Sequence, residues 1–214
     1  NITKWGGANV IITNNDPVDF ARIGNFFDSI VIDAPCSGSG LFRRDPGAIE
    51  EWSEQNVQHC SQRQQRIISD VLPALKKNGI LIYSTCSYSE QENEDILDWI
   101  INELALESVR LEVPSEWNIT ETNSAKEGAF GYRFWPDKIK GEGFFMACLR
   151  KTEGNENSEK QFRKSRIEKL NKFEEAIAKP WLNNESDIQL FKLGDSILAM
   201  PAGLEQALQE IMAA

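Results

Sequence analysis

Apolar and polar residues alternate in blocks along the first two thirds of the 214-residue chain. Short apolar runs predict strands at residues 9–15 ("NVIITNN"), 29–32 ("SIVI") and 80–85 ("ILIYST"). Apolar positions at helical spacing predict one helix from residue 52 to Asn78-Gly79 and another over residues 89–105. This alternation of strands and helices predicts an α/β fold with a largely parallel sheet.

The remaining pattern predicts how the sheet closes and which elements come after it. Ser89 with Glu92 three residues later resembles a capping box at the start of the second helix. Residues 105–112 and 142–151 predict two closing strands that would pair antiparallel. Residues 187–201 ("DIQLFKLGDSILAMP") predict a small β-hairpin that opens another module.

Charge and cysteine content narrow the class of protein. The net charge of −10 argues against a nonspecific nucleic-acid coat, which is usually basic. No apolar segment approaches the roughly 20 residues that span a bilayer, and the first residues lack the pattern of a signal peptide. The cysteines are widely spaced and form no C-x-x-C pair, so we predict reduced thiols, a cytoplasmic protein and no metal site.

A local basic segment interrupts the acidic balance. Residues 159–179 hold seven lysines and arginines against four glutamates. The segment is predicted to be either a solvated helix surface or a helix that contacts an RNA backbone.

Several polar residues fall at the carboxyl ends of the predicted strands, where open α/β sheets bind ligands. These residues are Asp16, Asp33, Pro35, Cys36, Thr85 and Cys86. A cysteine at such a place can be an inert buried side chain, half of a redox pair, or a nucleophile. A thiolate can attack carbon 6 of a pyrimidine, which activates carbon 5 for methylation, and a nearby acid can hold the cytosine edge. The residues alone do not decide which of the two thiols would attack.

Two blocks carry a resemblance to a known family. "DAPCSGSGLFRRD" and "STCSYSEQENE" resemble the signature blocks of the Sun-type RNA 5-methylcytosine methyltransferases, especially their bacterial ribosomal small-subunit branch. "NITKWGGANVIITNNDP", "WSEQNVQHCSQRQ" and "KIKGEGFFMACLRK" are also similar to that family. The matches run through residues 1–151 in the family's order.

The resemblance implies a role for each matched residue. Cys86 would be the nucleophile that forms a covalent adduct, and Cys36 would assist proton removal and release. Asp33 would hold the flipped cytosine, and Pro35 would shape the loop beside it. Asp16 would approach the adenine of the cofactor, S-adenosylmethionine, which Asp33 and Pro35 would also border.

The same resemblance implies the substrate side and the reaction. Arg43, Arg44 and Thr85, with Pro35, would contact the RNA. The implied reaction is methyl transfer to carbon 5 of cytidine in RNA, with ribosomal RNA favoured over tRNA. The alternatives are a non-catalytic RNA-binding or ribosome-assembly protein that keeps the fold and, less favoured, a thiol-redox protein.

The family's glycine-rich cofactor loop and its first two strands are absent from this sequence. We therefore expect an incomplete Rossmann-like class I methyltransferase sheet, part of a longer or cleaved enzyme whose other half is a partner, and otherwise a monomer. The expected layout is the C-terminal part of the catalytic domain over residues 1–151, a linker over 152–160, and the basic helix with the start of an accessory α+β RNA-contacting module over 161–214.

Overall fold

The computed structural model describes Lys4 and residues 9–154, 167–182 and 187–213. The chain divides into two compact units. One is Pro17–Ser158, and the other combines Asn1–Asp16 with Glu159–Ala214. The residues of the basic segment from 159 to 166, and most of the expected linker, lie outside the described part.

The larger unit is built on a six-stranded sheet. Its strands are β1 (Phe27–Asp33), β2 (Leu75–Thr85), β3 (Leu106–Ser108), β4 (Thr120–Asn123), β5 (Phe130–Phe134) and β6 (Phe144–Lys151). The order is β1-β2-β6-β5-β4, and β3 also pairs with β6. The helices are α1 (Pro17–Phe20), α2 (Gly47–Glu51), α3 (Glu54–Val71) and α4 (Glu94–Glu103). Short 3₁₀ turns lie at Ala21–Ile23, Ser39–Leu41, Leu72–Ala74, Glu90–Glu92 and Ser115–Trp117.

The sheet is less parallel than the alternating pattern predicts. Among the described strands, only β1 and β2 pair in parallel, with Ile30 opposite Leu81 and Asp33 opposite Ser84. The pairs of β2, β3 and β5 with β6, and of β4 with β5, are antiparallel. The closing strands are confirmed as an antiparallel pair, whereas β4 and β5 were not predicted because their short stretches lack a continuous apolar run.

The long helix α3 ends seven residues before the predicted Asn78-Gly79 stop. Val71 is its last residue, because Pro73, two residues further on, lacks the N–H that a helix requires. The Lys151 ammonium donates to the carbonyls of Leu72 and Leu75 at 2.9 and 2.7 Å, which satisfies acceptors left open at this end. Asn78 adopts a positive φ of 63° inside β2, where the register with β1 shifts.

A single apolar core joins the sheet to the two long helices. Its members include Leu81, Tyr83 and Phe145 from the strands and Ile68, Leu97 and Ile100 from α3 and α4, all fully buried. The outer edge of the sheet is different, since Val31 of β1 is 67% exposed. Burial of the core side chains stabilises the fold by roughly 1.5–3 kcal/mol each.

Residues 9–15 form no strand, which contradicts the first predicted strand. Val10, Ile11 and Ile12 are exposed, and no described strand pairs with this segment. An apolar run becomes a strand only when a neighbour satisfies its backbone N–H and C=O groups. Local sequence alone could not supply that neighbour.

The smaller unit contains a hairpin of β7 (Ile188–Leu193) and β8 (Ser196–Pro201), which confirms the hairpin predicted there. Gly194 makes the turn with a φ of 59°. Two helices, α5 (Lys172–Ala178) and α6 (Glu205–Met212), and 3₁₀ turns at Lys179–Trp181 and Ala202–Leu204 complete its described part. Ile167, Phe191, Met200 and Leu208 form its core. Residues 167–171 are not helical, so the described part of the basic segment is less helical than expected.

A buried ion pair ties α4 to the sheet in the larger unit. The Arg133 guanidinium of β5 makes two hydrogen bonds to the Glu94 carboxylate, and both side chains are about 90% buried. Thr122 also donates to Glu94, and Arg133 donates to the Tyr88 carbonyl, so the partners of the pair are well satisfied. An exposed pair of the same chemistry, Arg110 with Glu121, lies elsewhere on this unit.

Glu94→Gln removes the anionic half of the buried pair and leaves Arg133 without its counter-charge. We expect it to lower the free energy of unfolding by about 3–5 kcal/mol in urea denaturation. The matched control, Glu121→Gln, breaks the exposed pair with Arg110 and should cost about 0–1 kcal/mol. Equal losses in the two variants would contradict the idea that burial sets the contribution of this pair.

Candidate active site

Two thiols meet at the carboxyl edge of the parallel strands. Cys36 follows β1 and Cys86 follows β2, and their sulfur atoms are 2.9 Å apart although 50 residues separate them in the chain. The separation exceeds a disulfide bond of about 2.05 Å, and both thiols are free and partly buried. The Cys86 backbone N–H also donates to the Cys36 sulfur at 3.3 Å.

The contact makes the two thiols unequal acids. An S–H hydrogen bond from Cys36 lowers the pKa of Cys86 to about 7, against the opposing effects of burial and of the nearby charges on Asp33 and Glu92. The same contact, followed by burial and the charge on Cys86, raises the pKa of Cys36 well above its ordinary value. Above pH 7 the pair therefore holds one proton and one negative charge.

Glycines allow the loops around the thiols to pack backbone against backbone. The Gly40 N–H donates to the Cys86 carbonyl at 2.8 Å, and the Gly143 N–H donates to the Gly40 carbonyl at 3.0 Å. A Cβ atom at Gly40 would approach the carbonyl oxygens of Gly143 and Cys86 to 2.4 and 2.6 Å. Only glycine fits at this point, so the "CSGSG" sequence has a steric reason.

A buried carboxylate that the sequence interpretation missed lies beneath both cysteine loops. Glu92 is fully buried and accepts hydrogen bonds from Ser37 and Ser87, the residues that follow Cys36 and Cys86. Ser89, the residue predicted to cap the helix, makes no capping bond with its side chain. The sequence offered one signal for this role, which is the acid six residues after Cys86. The same acid fitted a capping box with Ser89 equally well.

Asparagine and glutamine side chains complete this internal network. Asn93 is fully buried, accepts from the Thr85 hydroxyl at 2.6 Å and donates to the Ser87 carbonyl at 2.8 Å. Gln64 of α3 donates to the Pro35 carbonyl at 3.0 Å, which holds the segment before Cys36. The backbone on both sides of the thiol pair is thereby fixed from below.

The predicted binding residues fall into two groups. Asp33, the last residue of β1, is exposed, and Pro35 is half-buried next to Cys36. Thr85 was expected to contact the substrate, but it is fully buried and its hydroxyl bonds to Asn93. The structure thus gives Thr85 a part in shaping the Cys86 loop and leaves its side chain inaccessible.

The predicted basic contacts lie at the surface. Arg43 is exposed and pairs with Glu142 at 3.1 Å while donating to the Gly141 carbonyl at 2.8 Å. Arg44 is also exposed. Asp16 belongs to the other compact unit, and its predicted contact with the cofactor stays a prediction.

Membrane spans and metal clusters are both missing from the described residues. None of the described helices has the length and apolar character needed to cross a membrane. Within the same residues, no three His, Cys, Asp or Glu side chains cluster as metal ligands would.

The sequence is similar to those of bacterial ribosomal RNA methyltransferases. Residues 1–150 match the family model described as 16S rRNA methyltransferase RsmB/F. The ribosomal RNA small subunit methyltransferase F of Psychromonas ingrahamii is 35% identical over 154 residues, or 72% of this chain and 32% of that protein. The protein of the same name from Escherichia coli O139:H28 is 29% identical over 220 residues, or 99% of this chain and 46% of that protein.

Solved structures of an NSun protein and of a methyltransferase homologue are similar to this chain. The crystal structure of NSun6 from Pyrococcus horikoshii with SFG matches at a TM-score of 0.60 and 27% identity, covering 72% of this chain and 37% of that one. A methyltransferase homologue from Pyrococcus horikoshii matches at a TM-score of 0.57 and 30% identity, covering 70% and 47%. The resemblance to Sun-type proteins and the Rossmann-like fold class are thereby confirmed.

The chain spans about a third to a half of the length of these curated relatives. The match to the family model, residues 1–150, covers both cysteine loops and the six-stranded sheet up to the penultimate residue of β6. The chain belongs to the 16S rRNA methyltransferase RsmB/F family.

Proposed function

We propose that this chain carries the two reacting thiols of an S-adenosylmethionine-dependent RNA methyltransferase that acts on carbon 5 of cytidine, with ribosomal RNA as the substrate. The observation that carries the proposal is the 2.9 Å contact between Cys86 and Cys36 at the carboxyl edge of the parallel strands. A buried structural thiol needs no partner thiol that donates a hydrogen bond to it, whereas a nucleophilic thiolate is stabilised by one.

Cys86 is the better nucleophile of the two. Its pKa of about 7 supplies thiolate at neutral pH, whereas that of Cys36 is raised. In the proposed first step, the Cys86 thiolate bonds to carbon 6 of the cytosine and carbon 5 becomes nucleophilic. The exposed carboxyl group of Asp33 is available to hold the ring nitrogen and the exocyclic amine of an extruded base.

Cys36 then has the task of removing the proton from carbon 5. The causes that raise the pKa of Cys36 include the hydrogen bond and the charge of Cys86. Both vanish once the Cys86 sulfur is a neutral thioether, so Cys36 becomes easier to deprotonate when a base is needed. Once carbon 5 carries the methyl group and Cys36 has released its own proton to solvent, the Cys36 thiolate takes the carbon-5 proton, the carbon–sulfur bond breaks, and Cys86 leaves as a thiolate.

The described residues offer part of a site for the methyl donor. S-adenosylmethionine supplies an electrophilic methyl group on a positively charged sulfur. An exposed acid beside a half-buried proline suits such a cation, so Asp33 and Pro35 are the residues that would border it, with Asp16 on the adenine as the family resemblance implies. A relative was solved with SFG, an analogue of this donor.

RNA contact is proposed for the exposed arginines and for the smaller unit. Arg43 and Arg44 follow the Cys36 loop and present charge at the surface. The expected layout, with the methyltransferase part over residues 1–151, a linker over 152–160 and an RNA-contacting module over 161–214, is kept as part of the proposal. A role in rRNA modification would be carried out in the cytoplasm.

The alternative functions predict different behaviour. A non-catalytic RNA-binding or ribosome-assembly protein would bind RNA without needing either thiol, and a tRNA methyltransferase would prefer tRNA over ribosomal RNA. A thiol-redox protein would cycle between the free thiols and a disulfide. A pKa of about 7 and a close partner thiol would suit a redox pair as well, so it is the match of residues 1–150 to an rRNA methyltransferase family that favours methyl transfer.

Full-length protein, labelled S-adenosylmethionine and small-subunit ribosomal RNA give a direct test. Cys86→Ala should abolish transfer, because no covalent bond to carbon 6 can form. Cys36→Ala should accumulate a covalent protein–RNA species that is stable in denaturing gels, because the carbon-5 proton stays in place. Cys60→Ala, a thiol away from the strand ends, is the matched control. Transfer that survives in Cys86→Ala would overturn the assignment of the nucleophile.

The pH dependence of alkylation tests the thiol contact by itself. In the wild type, iodoacetamide labelling of Cys86, followed by peptide mass spectrometry, should rise with pH through about 7. Cys36→Ala removes the S–H donor, so the pKa of Cys86 should rise towards about 8.5 and labelling at pH 7 should fall roughly tenfold. An unchanged profile would show that Cys36 does not stabilise the Cys86 thiolate.

A further inference from the structure

Glu92 joins the two cysteine loops through one oxygen atom. Its Oε2 accepts from the Ser37 hydroxyl and from the Ser87 hydroxyl, both at 2.6 Å. Its Oε1 accepts from the Ser37 backbone N–H at 2.7 Å. Ser37 directly follows Cys36 and Ser87 directly follows Cys86, so each loop is held at the residue next to its thiol.

The side chain is aimed at the loops by a second buried contact. The Tyr83 hydroxyl, on β2, donates to the Glu92 carbonyl at 2.6 Å, and both residues are fully buried. This bond anchors the short turn Glu90–Glu92 on the sheet. The turn is therefore fixed from below while its carboxylate reaches the loops above it.

Burial of this carboxylate is expensive for the fold. The hydrogen bonds that the structure gives Glu92 come from hydroxyl, amide and peptide donors, none of which carries a positive charge. Burying a charged group without an ionic partner costs stability, even when hydrogen bonds offset part of the cost. A neutral side chain at position 92 would avoid this cost. We therefore explain the acid by the two loops that it bridges.

We infer that Glu92 is a positioning residue that holds the Cys36 and Cys86 loops together so that the two sulfur atoms stay in contact. The effect of this positioning on catalysis rests on the function proposed above. Because the Glu92 carboxylate bonds to Ser37 and Ser87 rather than to either sulfur, it acts on the thiols through those two serines. Asn93 differs in that its side chain contacts only the Cys86 side, through Thr85 and Ser87.

The charge of Glu92 and its bridging role have opposite effects on the pKa of Cys86, so an experiment can distinguish the two. The negative charge of Glu92, like that of Asp33, raises the pKa of Cys86, whereas the hydrogen bond from Cys36 lowers it. Loss of the charge alone would therefore lower the pKa of Cys86. Loss of the bridge would separate the sulfurs, remove the Cys36 donor and raise that pKa.

The test uses the full-length protein with Glu92→Ala, which removes the bridging oxygen, and with Glu90→Ala as the matched control on the exposed side of the same turn. We expect the alkylation midpoint of Cys86 to rise by about one pH unit in Glu92→Ala, so that labelling at pH 7 falls about fivefold. Glu90→Ala should keep the wild-type profile, and Glu92→Asp should restore part of it. A midpoint in Glu92→Ala that is unchanged or lower would overturn the inference.

A proximity measurement supports the same test. Diamide takes up two hydrogen atoms from the two thiols as the Cys36–Cys86 disulfide forms, and this should be at least about fivefold slower in Glu92→Ala because the sulfurs start farther apart. If Glu92→Ala does not fold, the double variant Ser37→Ala with Ser87→Ala removes both hydroxyl donors to the same oxygen and should slow disulfide formation likewise. Wild-type rates in that double variant would also overturn the inference.

A methyl-transfer assay is the third measurement. It distinguishes a failure of this inference from a failure of the proposed function. If both hold, Glu92→Ala lowers kcat at least about tenfold with little change in KM for RNA, since the thiols and not the RNA contacts are displaced. If the wild type transfers no methyl group, the proposed function fails. The alkylation and diamide measurements would then still decide whether Glu92 positions the thiols.

Discussion

The parallel pairing of β1 with β2 is the constraint on which the site depends. Parallel strands end at the same edge of a sheet, and the register of Asp33 opposite Ser84 brings the residues after each strand together. Cys36 and Cys86 can touch only because of that register. A shift of one residue would also turn the side chains of β2 to the opposite face, so the core and the site depend on the same pairing.

Two further layers preserve the geometry that the strands create. Backbone bonds from Gly40 to Cys86 and from Gly143 to Gly40 join three loops at distances that exclude any side chain. Beneath them, Glu92 and Asn93 satisfy the polar groups of the residues beside the thiols. These contacts fix the positions of the two sulfur atoms, as pre-organised catalytic groups require. Asp33 beside them stays exposed.

Sequence interpretation succeeded where local pattern and structure agree. The strands around Ser29–Ile32 and Ile80–Thr85, the closing antiparallel pair and the hairpin after residue 187 were found because their apolar runs are continuous and bounded by turn residues. It failed at residues 9–15, where an equally apolar run has no described partner strand. It also placed the end of α3 too late, because the glycine at Gly79 suggested a helix stop while Pro73 had already ended the helix.

The sequence by itself determined the chemical inventory: two thiols, an acid and small residues at the ends of two strands, in blocks that identify the family. The tertiary structure alone decided which groups meet. It buried Thr85, left Asp33 exposed, set the two sulfurs at 2.9 Å and turned Glu92 from an expected helix cap into a bridge between loops. The physical reason is that contact between residues 50 or 55 positions apart follows from strand register and burial, which no local spacing encodes.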